Sequence, residues 1–421
     1  MNERRWSFEQ LISPVTREEF LSNFWEKGHL HVARDTPSYF SDLFSTAEID
    51  HWIVTSRSGL PDSIGIASPD GAENGRRNTR PQDCDIDDVY EAFSRGHSLI
   101  LNYLEDSWPL IDFSKRLAHD LCAKIGVNAY LTPQASQTFP VHTDDHDVLI
   151  LQLHGRKAWR LYERKMMPIN KRSLEFSNEL EAGLEWDGLT ETPLRAELDV
   201  APGDVLYIPR GMPHCAVAKE SISLHLTVSI TPMYWTDFLR CLIEDAQLRS
   251  NRLRRALPLS FIEQPAAWQK MRDELPRVLE QLRDELSFDR ALDVVRRHWV
   301  KKQRFAPDGH FSSLVRLQSI SSGTLLEQRP TQHLLFSEKD DALFLTFGHK
   351  QVRFPTRIRK AVTFVREKDR FHVSEIPGLD EASQVVLAKR LVREGFLRLS
   401  AEELRTDPVK PTRCAVETVS S

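Results

Sequence analysis

The chain carries fifteen histidines, and one of them begins an H-x-D triplet, His142-Thr143-Asp144 in FPVHTDDHDVLILQL. On an extended strand, residues two apart share a face, so this imidazole and carboxylate would point the same way. Val148 and Ile150 keep the same parity, which turns that face toward an interior. The best third partner is His214, in PGDVLYIPRGMPHCAV. There a Pro-Gly-Asp turn starts an apolar strand, and Pro-Arg-Gly-Met-Pro aims His214 at a fixed point. Two histidines and one carboxylate on one side of a metal leave three positions open, which suits Fe(II) oxygen chemistry. H-x-D alone is a weak signal. Its recurrence with PGD-strand-PxGxPH roughly seventy residues later is a strong one. His146 competes, because H-x-x-x-H would suit zinc on a helix. In a strand, four residues span about 13 Å, so His142 and His146 could not readily share one ion. His146 is read as a residue behind the ligands or at the substrate rim, or as plain polar surface.

A second group of polar residues falls on neighbouring strand patterns. Asn128 and Tyr130 share a face just before the H-x-D stretch. Lys157 follows the His154-Gly155 turn and alternates with Trp159 and Leu161 in GRKAWRLY. A lysine on a core face is costly unless an anion pairs with it. A small dicarboxylate would meet that need, with Tyr130 hydrogen-bonding its distal carboxylate. His225 and Thr227 share a face of SLHLTVSI and could complete the pocket. Taken singly, each has a plainer reading as a snorkelling lysine or a satisfied core polar group.

These side chains need a scaffold. NAYLT, VLILQL, KAWRLYE, DVLYIP and SLHLTVSI are β-branched or aromatic runs broken by turn signals. Short strands at this spacing predict a barrel or jelly roll over 126–231. Upstream, helical periodicity appears at Arg17–Glu26 and Ile86–Ser94, SLILNYL (98–104) reads as a buried strand, and 68–82 reads as a long polar loop. From Trp235 the pattern turns helical, with Phe238, Leu239, Leu242 and Ile243, then Met271, Leu275, Val278, Leu279 and Leu282, at helical spacing. That stretch is either a connector or a dimerisation bundle. Beyond 301, LFLTF and QVRF read as strands, 380–394 as a helix and FLRLS as a strand, which would fit a winged-helix type of domain.

Composition narrows the partners. The 421 residues are 40% hydrophobic and 28% charged, enough for sizeable cores. The net charge is −5, which argues against coating nucleic acid through bulk charge. It is uneven: residues 301–421 hold 21 Lys/Arg and 15 Asp/Glu. Five scattered cysteines without a C-x-x-C pair fit neither a disulfide scaffold nor a four-cysteine zinc site, and suit a reducing compartment. The N-terminus lacks the pattern of a signal or transit peptide. No stretch approaches the ~18–20 apolar residues of a membrane span. The expectation is a soluble, cytoplasmic protein with no membrane partner.

The run NAYLTPQASQTFPVHTDDHDVLILQLHGRKAWRLYE, then PGDVLYIPRGMPH and SLHLTVSI, resembles the JmjC-type cupin dioxygenases of the ribosomal oxygenase group, best over about residues 20–235. The resemblance implies an α+β fold: a double-stranded β-helix (cupin or jelly-roll) core with flanking helices in 1–234, a helical dimerisation region in 235–300, and a winged-helix-like domain in 301–421. It implies Fe(II), with 2-oxoglutarate and O2 as cosubstrates. By position His142, Asp144 and His214 match the iron ligands, Lys157 and Tyr130 the partners of the 5-carboxylate of 2-oxoglutarate, and Asn128, His225 and Thr227 residues lining that site. No catalytic residue beyond the metal centre is implied. Thr143 and Cys215 depart from the group, and both bear on substrate rather than chemistry.

The function so implied is hydroxylation of a side chain, Arg or His, of a protein substrate, with a ribosomal protein first and a homodimer as the working form. Other substrates for the same chemistry are a peptide natural-product precursor, a free amino acid, or an N-methyl-lysine, whose demethylation releases formaldehyde. The non-enzymatic alternative is a cupin scaffold that binds protein or nucleic acid, the latter disfavoured by the modest charge of 301–421.

Overall fold

The computed structural model describes residues 6–55, 63–68, 76–79, 86–108, 110–164, 192–303, 308–329 and 333–405. Contacts divide the chain into two units, 1–288 and 289–421, so the break falls inside the stretch 235–300.

Among the described residues the first unit has the strands β1 (Leu30–Val32), β2 (Ile64–Ala67), β3 (Arg76–Thr79), β4 (Ser98–Leu101), β5 (Lys124–Thr132), β6 (Asp147–His154), β7 (Lys157–Tyr162), β8 (Leu194–Val200), β9 (Val205–Ile208), β10 (His214–Ala218) and β11 (Ser223–Thr231). An eight-stranded sheet runs β1-β9-β6-β11-β5-β4-β2-β3, and a three-stranded sheet runs β10-β7-β8. From β5 onward the chain passes back and forth between them, which is the winding of a double-stranded β-helix. The strand alternation sorts the side chains. Leu149 and Leu151 on β6, and Leu224, Leu226 and Val228 on β11, enter a large core shared with Phe8, Leu11, Phe20, Phe113 and Leu117 of the preceding helices. Their neighbours Val148, Ile150, His225, Thr227 and Ser229 line a cavity between the sheets. Helices therefore cover one face of the large sheet, and the other face forms the inside of the barrel.

Two glycines make the corners. Gly155, at φ +63°, turns β6 into β7, and a Cβ there would lie 2.0 Å from the carbonyl of Ile222. Gly203, at φ +92°, makes the turn before β9, and a Cβ would lie 2.3 Å from the carbonyl of Thr36. Only glycine tolerates both the conformation and the approach. The adjoining Asp204 is buried and ties this turn to the N-terminal segment. It accepts from His31 Nε2 at 3.0 Å, the Arg34 amide at 2.8 Å and the Ala201 amide at 2.9 Å.

Several local expectations change. The helix expected over Arg17–Glu26 closes at Asn23. SLILNYL is a strand only to Leu101. Asn102 then donates its amide to Ser63 O at 2.9 Å, and Tyr103 turns left-handed (φ 64°) with its amide on Asn128 Oδ1 at 3.3 Å. Within 68–82, Arg76–Thr79 is not loop but β3, because its backbone pairs with β2 whatever its polarity; residues 69–75 and 80–82 lie outside the described residues. The H-x-D triplet is not on a regular strand, since β6 begins only at Asp147.

The helices Trp235–Gln247 and Pro265–Glu285 complete the first unit, and Phe288–Lys302 leads into the second. That unit holds the sheet β16-β12-β17 (β12 Leu325–Gln328, β16 Arg370–His372, β17 Leu397–Leu399) and the meander β13 (Leu334–Lys339), β14 (Ala342–Phe347) and β15 (Lys350–Pro355). Its core joins Leu343, Leu345 and Phe354 to Val362 and Val365 of helix Arg359–Glu367 and to Leu387 and Leu391 of helix Glu381–Glu394.

Replacing Asp204 by alanine would remove three hydrogen bonds to one buried carboxylate. We expect a loss of at least ~3 kcal/mol of stability, read as a lowered urea midpoint of the first unit.

Candidate metal centre

His142 and His214 face each other across an isolated antiparallel bridge. The amide of His142 donates to the carbonyl of His214 at 3.1 Å, and the amide of His214 donates back at 2.9 Å. Asp144 lies in the loop beyond, where its carbonyl accepts from the amide of Gly211 at 2.9 Å. The outcome is a cluster in which one ligand atom each of His142, Asp144 and His214 lies within 4.8 Å of the others. Asp144 Oδ2 is 3.6 Å from His214 Nε2.

The rings are oriented by backbone carbonyls. His142 Nδ1 donates to Pro140 O at 2.9 Å, and His214 Nδ1 donates to Met212 O at 2.9 Å. Each bond places the ring proton on Nδ1 and leaves the Nε2 lone pair for a metal. Burial, reinforced by neighbouring His142, lowers the pKa of His214 to about 4, so it is neutral as a ligand must be. The donor set fits a divalent ion with open coordination positions.

The cluster opens into a cavity of about 720 Å³. Among its lining residues are Asn128, Tyr130, Lys157, His225 and Thr227. The strand registers bring these together: His225 lies opposite Tyr130, and Thr227 opposite Asn128. Tyr130 and His225 stack with ring centres 5.0 Å apart and planes 3° from parallel. Lys157 is 2% exposed, and burial lowers its pKa to about 7. Among the described residues its ammonium donates to a single oxygen, Thr132 Oγ1, at 3.1 Å. Burial, with Lys157 next to it, also holds His225 well below the ordinary imidazole range. Among the described residues, its Nδ1 and the Nε1 of cavity-lining Trp159 are buried without a hydrogen-bond partner. A cationic group with donors to spare beside two orphaned ring nitrogens fits a small polar anion.

His146 sits on the cavity wall, bonded through Nδ1 to Asp145 Oδ1 at 2.9 Å. Asn128 lines the cavity and also shapes it, since its Oδ1 holds the left-handed Tyr103. Sequence reading missed Asn102, Thr138, Phe139 and Ser229 on this wall. Ser229 was within reach, because it continues the His225–Thr227 face. Asn102 had no signal, because it lies just beyond the end of β4, where the strand pattern has stopped.

A double-stranded β-helix with two histidines and an aspartate at its opening, and a buried lysine in the same cavity, defines a cupin-type metal-binding barrel. Residues 102–238 match the family described as JmjC domain. The chain is 33% identical over 265 residues to human ribosomal oxygenase 1, covering 61% of this chain and 40% of that protein. It is 34% identical over 261 residues to the bifunctional lysine-specific demethylase and histidyl-hydroxylase NO66 of Drosophila willistoni, covering 59% and 32%. The chain thus spans well under half the length of these curated relatives. Among solved structures, the ribosomal oxygenase YcfD of Escherichia coli aligns with 90% of this chain and 97% of its own, with a TM-score of 0.49 and 15% identity.

Asp144→Ala should weaken Co(II) binding at least ~100-fold with the fold intact, as measured by calorimetry and circular dichroism.

Proposed function

We propose that this chain is an Fe(II)- and 2-oxoglutarate-dependent oxygenase that hydroxylates a side chain, Arg or His, of a ribosomal protein. One observation carries the reading: the His142–Asp144–His214 cluster, with both rings held at Nδ1 by backbone carbonyls, shares one cavity with the buried Lys157. In this reading His142, Asp144 and His214 hold the iron. Lys157 and Tyr130 hold the far carboxylate of 2-oxoglutarate, and Asn128, His225 and Thr227 line its site. Iron with this cosubstrate supplies O2-driven oxidation of an unactivated C–H bond, with succinate and CO2 as the other products. The chain's own residues position and exclude. Pro140 O and Met212 O fix the two ring planes, the apolar Val148, Ile150 and Trp159 keep water from the centre, and the opening beside His146 admits the substrate side chain.

Relatives named as both histidyl-hydroxylase and lysine-specific demethylase support a second reading, in which an N-methyl carbon is oxidised and formaldehyde leaves. A nucleic-acid role for the second unit has less support. Several of its arginines are paired locally: Arg329 with Asp308 at 2.6 Å, Arg398 with Glu327 at 2.7 Å, Arg370 with Glu402 at 2.7 Å, and Arg359 with Glu338. The sheet β16-β12-β17 with its helices supports a winged-helix-like domain in 301–421, with 1–234 as the catalytic part. No helix among the described residues is long and apolar enough to cross a membrane.

The segment 235–300 is proposed as the dimer contact. Trp235, Leu239 and Ile243 repeat every four residues on one helix, and Trp268, Leu275 and Leu279 repeat on the next, all at least 49% exposed. Exposed apolar stripes on adjoining helices suit a two-fold contact with a second copy.

Three outcomes test these readings. Intact-mass comparison of the host's ribosomal proteins with and without this gene should show one protein lacking an increment of about 16 Da, the mass of one oxygen atom added by hydroxylation; no difference overturns the substrate. The affinity for 2-oxoglutarate should be flat below about pH 7. Above it, affinity should fall by up to about tenfold per pH unit, because the empty pocket must then take up a proton to present an ammonium; calorimetry across pH 6–9 measures this. Light scattering should give twice the 48.6 kDa chain mass, and Leu239→Glu with Ile243→Glu should halve it.

A further inference from the structure

Lys157 is not simply buried; it ends a line of buried hydroxyls. Its Nζ donates to Thr132 Oγ1 at 3.1 Å. Thr132 Oγ1 lies 3.2 Å from Thr138 Oγ1, and Thr138 Oγ1 donates to Ser98 Oγ at 3.2 Å. Thr132 and Ser98 are fully buried and Thr138 nearly so. The line crosses three elements: the end of β5, the segment leading to the H-x-D triplet, and β4.

We infer that Thr132, at the head of this hydroxyl line, is the positioning residue that holds the Lys157 ammonium where it can receive the far carboxylate of 2-oxoglutarate. The inference rests on the cosubstrate reading given above.

Proton direction is the first argument. An ammonium has donors only, so Thr132 Oγ1 accepts there. Its own proton is then available to Thr138, and the proton of Thr138 goes to Ser98. Every hydroxyl along the line can turn its oxygen toward the ammonium and its proton away. Aligned bonds of this kind polarise one another, and in a low-dielectric interior the alignment favours the charged lysine. That opposes the burial which lowers the pKa of Lys157.

Donor count is the second argument. One of three N–H donors is engaged by Thr132, which leaves two for a carboxylate. Thr132 itself is not among the cavity-lining residues, whereas Lys157 and Thr138 are. It therefore acts on a ligand through Lys157. Its strand fixes it firmly, because Thr132 is in register with Ser223 of β11, whose hydroxyl accepts from Gln152 Nε2 at 2.9 Å. A lysine stem has several rotatable bonds, and the anchored hydroxyl selects one arrangement of it before the ligand arrives. A valine would fill the same space, so packing alone does not call for the hydroxyl.

The test is anaerobic calorimetric titration of 2-oxoglutarate into the Fe(II)-loaded full-length protein, with the half-saturating concentration for turnover measured alongside. Thr132→Val should weaken 2-oxoglutarate binding about tenfold, raise the half-saturating concentration in step, and affect the rate at saturation far less. Thr132→Ser should restore most of the affinity. Equal binding by wild type and Thr132→Val overturns the inference while leaving the cosubstrate reading intact. Equal weakening by the valine and serine variants also overturns it, because shape and not the hydrogen bond would then be at work. Failure of the wild type to bind 2-oxoglutarate overturns the cosubstrate reading, and this inference with it. The valine variant is isosteric, and an unchanged melting temperature checks that it folds as the wild type does.

Discussion

Two backbone hydrogen bonds, exchanged between His142 and His214, set the geometry on which the site depends. They join stretches about seventy residues apart and close the small sheet at the barrel's opening. Because the pair is directly opposed, the two rings come within 4.4 Å of each other, centre to centre. The same backbone then orients them, through the carbonyls of Pro140 and Met212. Asp144 needs no strand of its own, since Gly211 holds its carbonyl from the turn that precedes His214. Both halves of the cluster are thus positioned by main-chain groups, which tolerate side-chain change elsewhere.

The barrel solves an opposite problem for Lys157. An ammonium in an apolar interior is costly, and an unpaired one is rare. Here the alternation of β5, β6 and β11 sends one set of side chains into the helix-covered core and the other into the cavity, which Lys157 of β7 enters from the opposite sheet. Polar groups are thereby concentrated on the inner face without weakening the outer one. The inner wall can then hold a cation, neutral His225 and a run of hydroxyls together. Apolar Val148, Ile150 and Trp159 supply part of the wall, so the charge works in a medium where it is worth more than in water.

The second unit obeys a different economy of charge. Arg329 and Asp308 are both nearly buried and meet in two hydrogen bonds, at 2.6 and 2.8 Å. Arg398 joins the same carboxylate at 3.7 Å and Glu327 at 2.7 Å. These pairs tie the segment before helix His310–Val315 to β12 and β17. The apolar excess lies instead on the outward stripes of Trp235–Gln247 and Pro265–Glu285.

The sequence by itself determined the main strands of the barrel, the turns between them and several polar residues of the inner wall, Tyr130, Lys157 and His225 among them. Alternation with period two is local, and Pro-Gly-Asp or His-Gly turns are chemically distinctive. The cluster was legible from H-x-D and PxGxPH, although the reason offered, a shared strand face, does not apply: the triplet lies in a loop before β6. Tertiary structure alone decided that His142 would oppose His214, that Arg76–Thr79 would be recruited as an edge strand, and that Asn102 would reach the cavity. It also turned Thr132 from one more β-branched residue into a partner of Lys157. Such contacts depend on strand register and sheet closure between segments far apart in the chain, and no local pattern encodes which distant backbone a strand will meet.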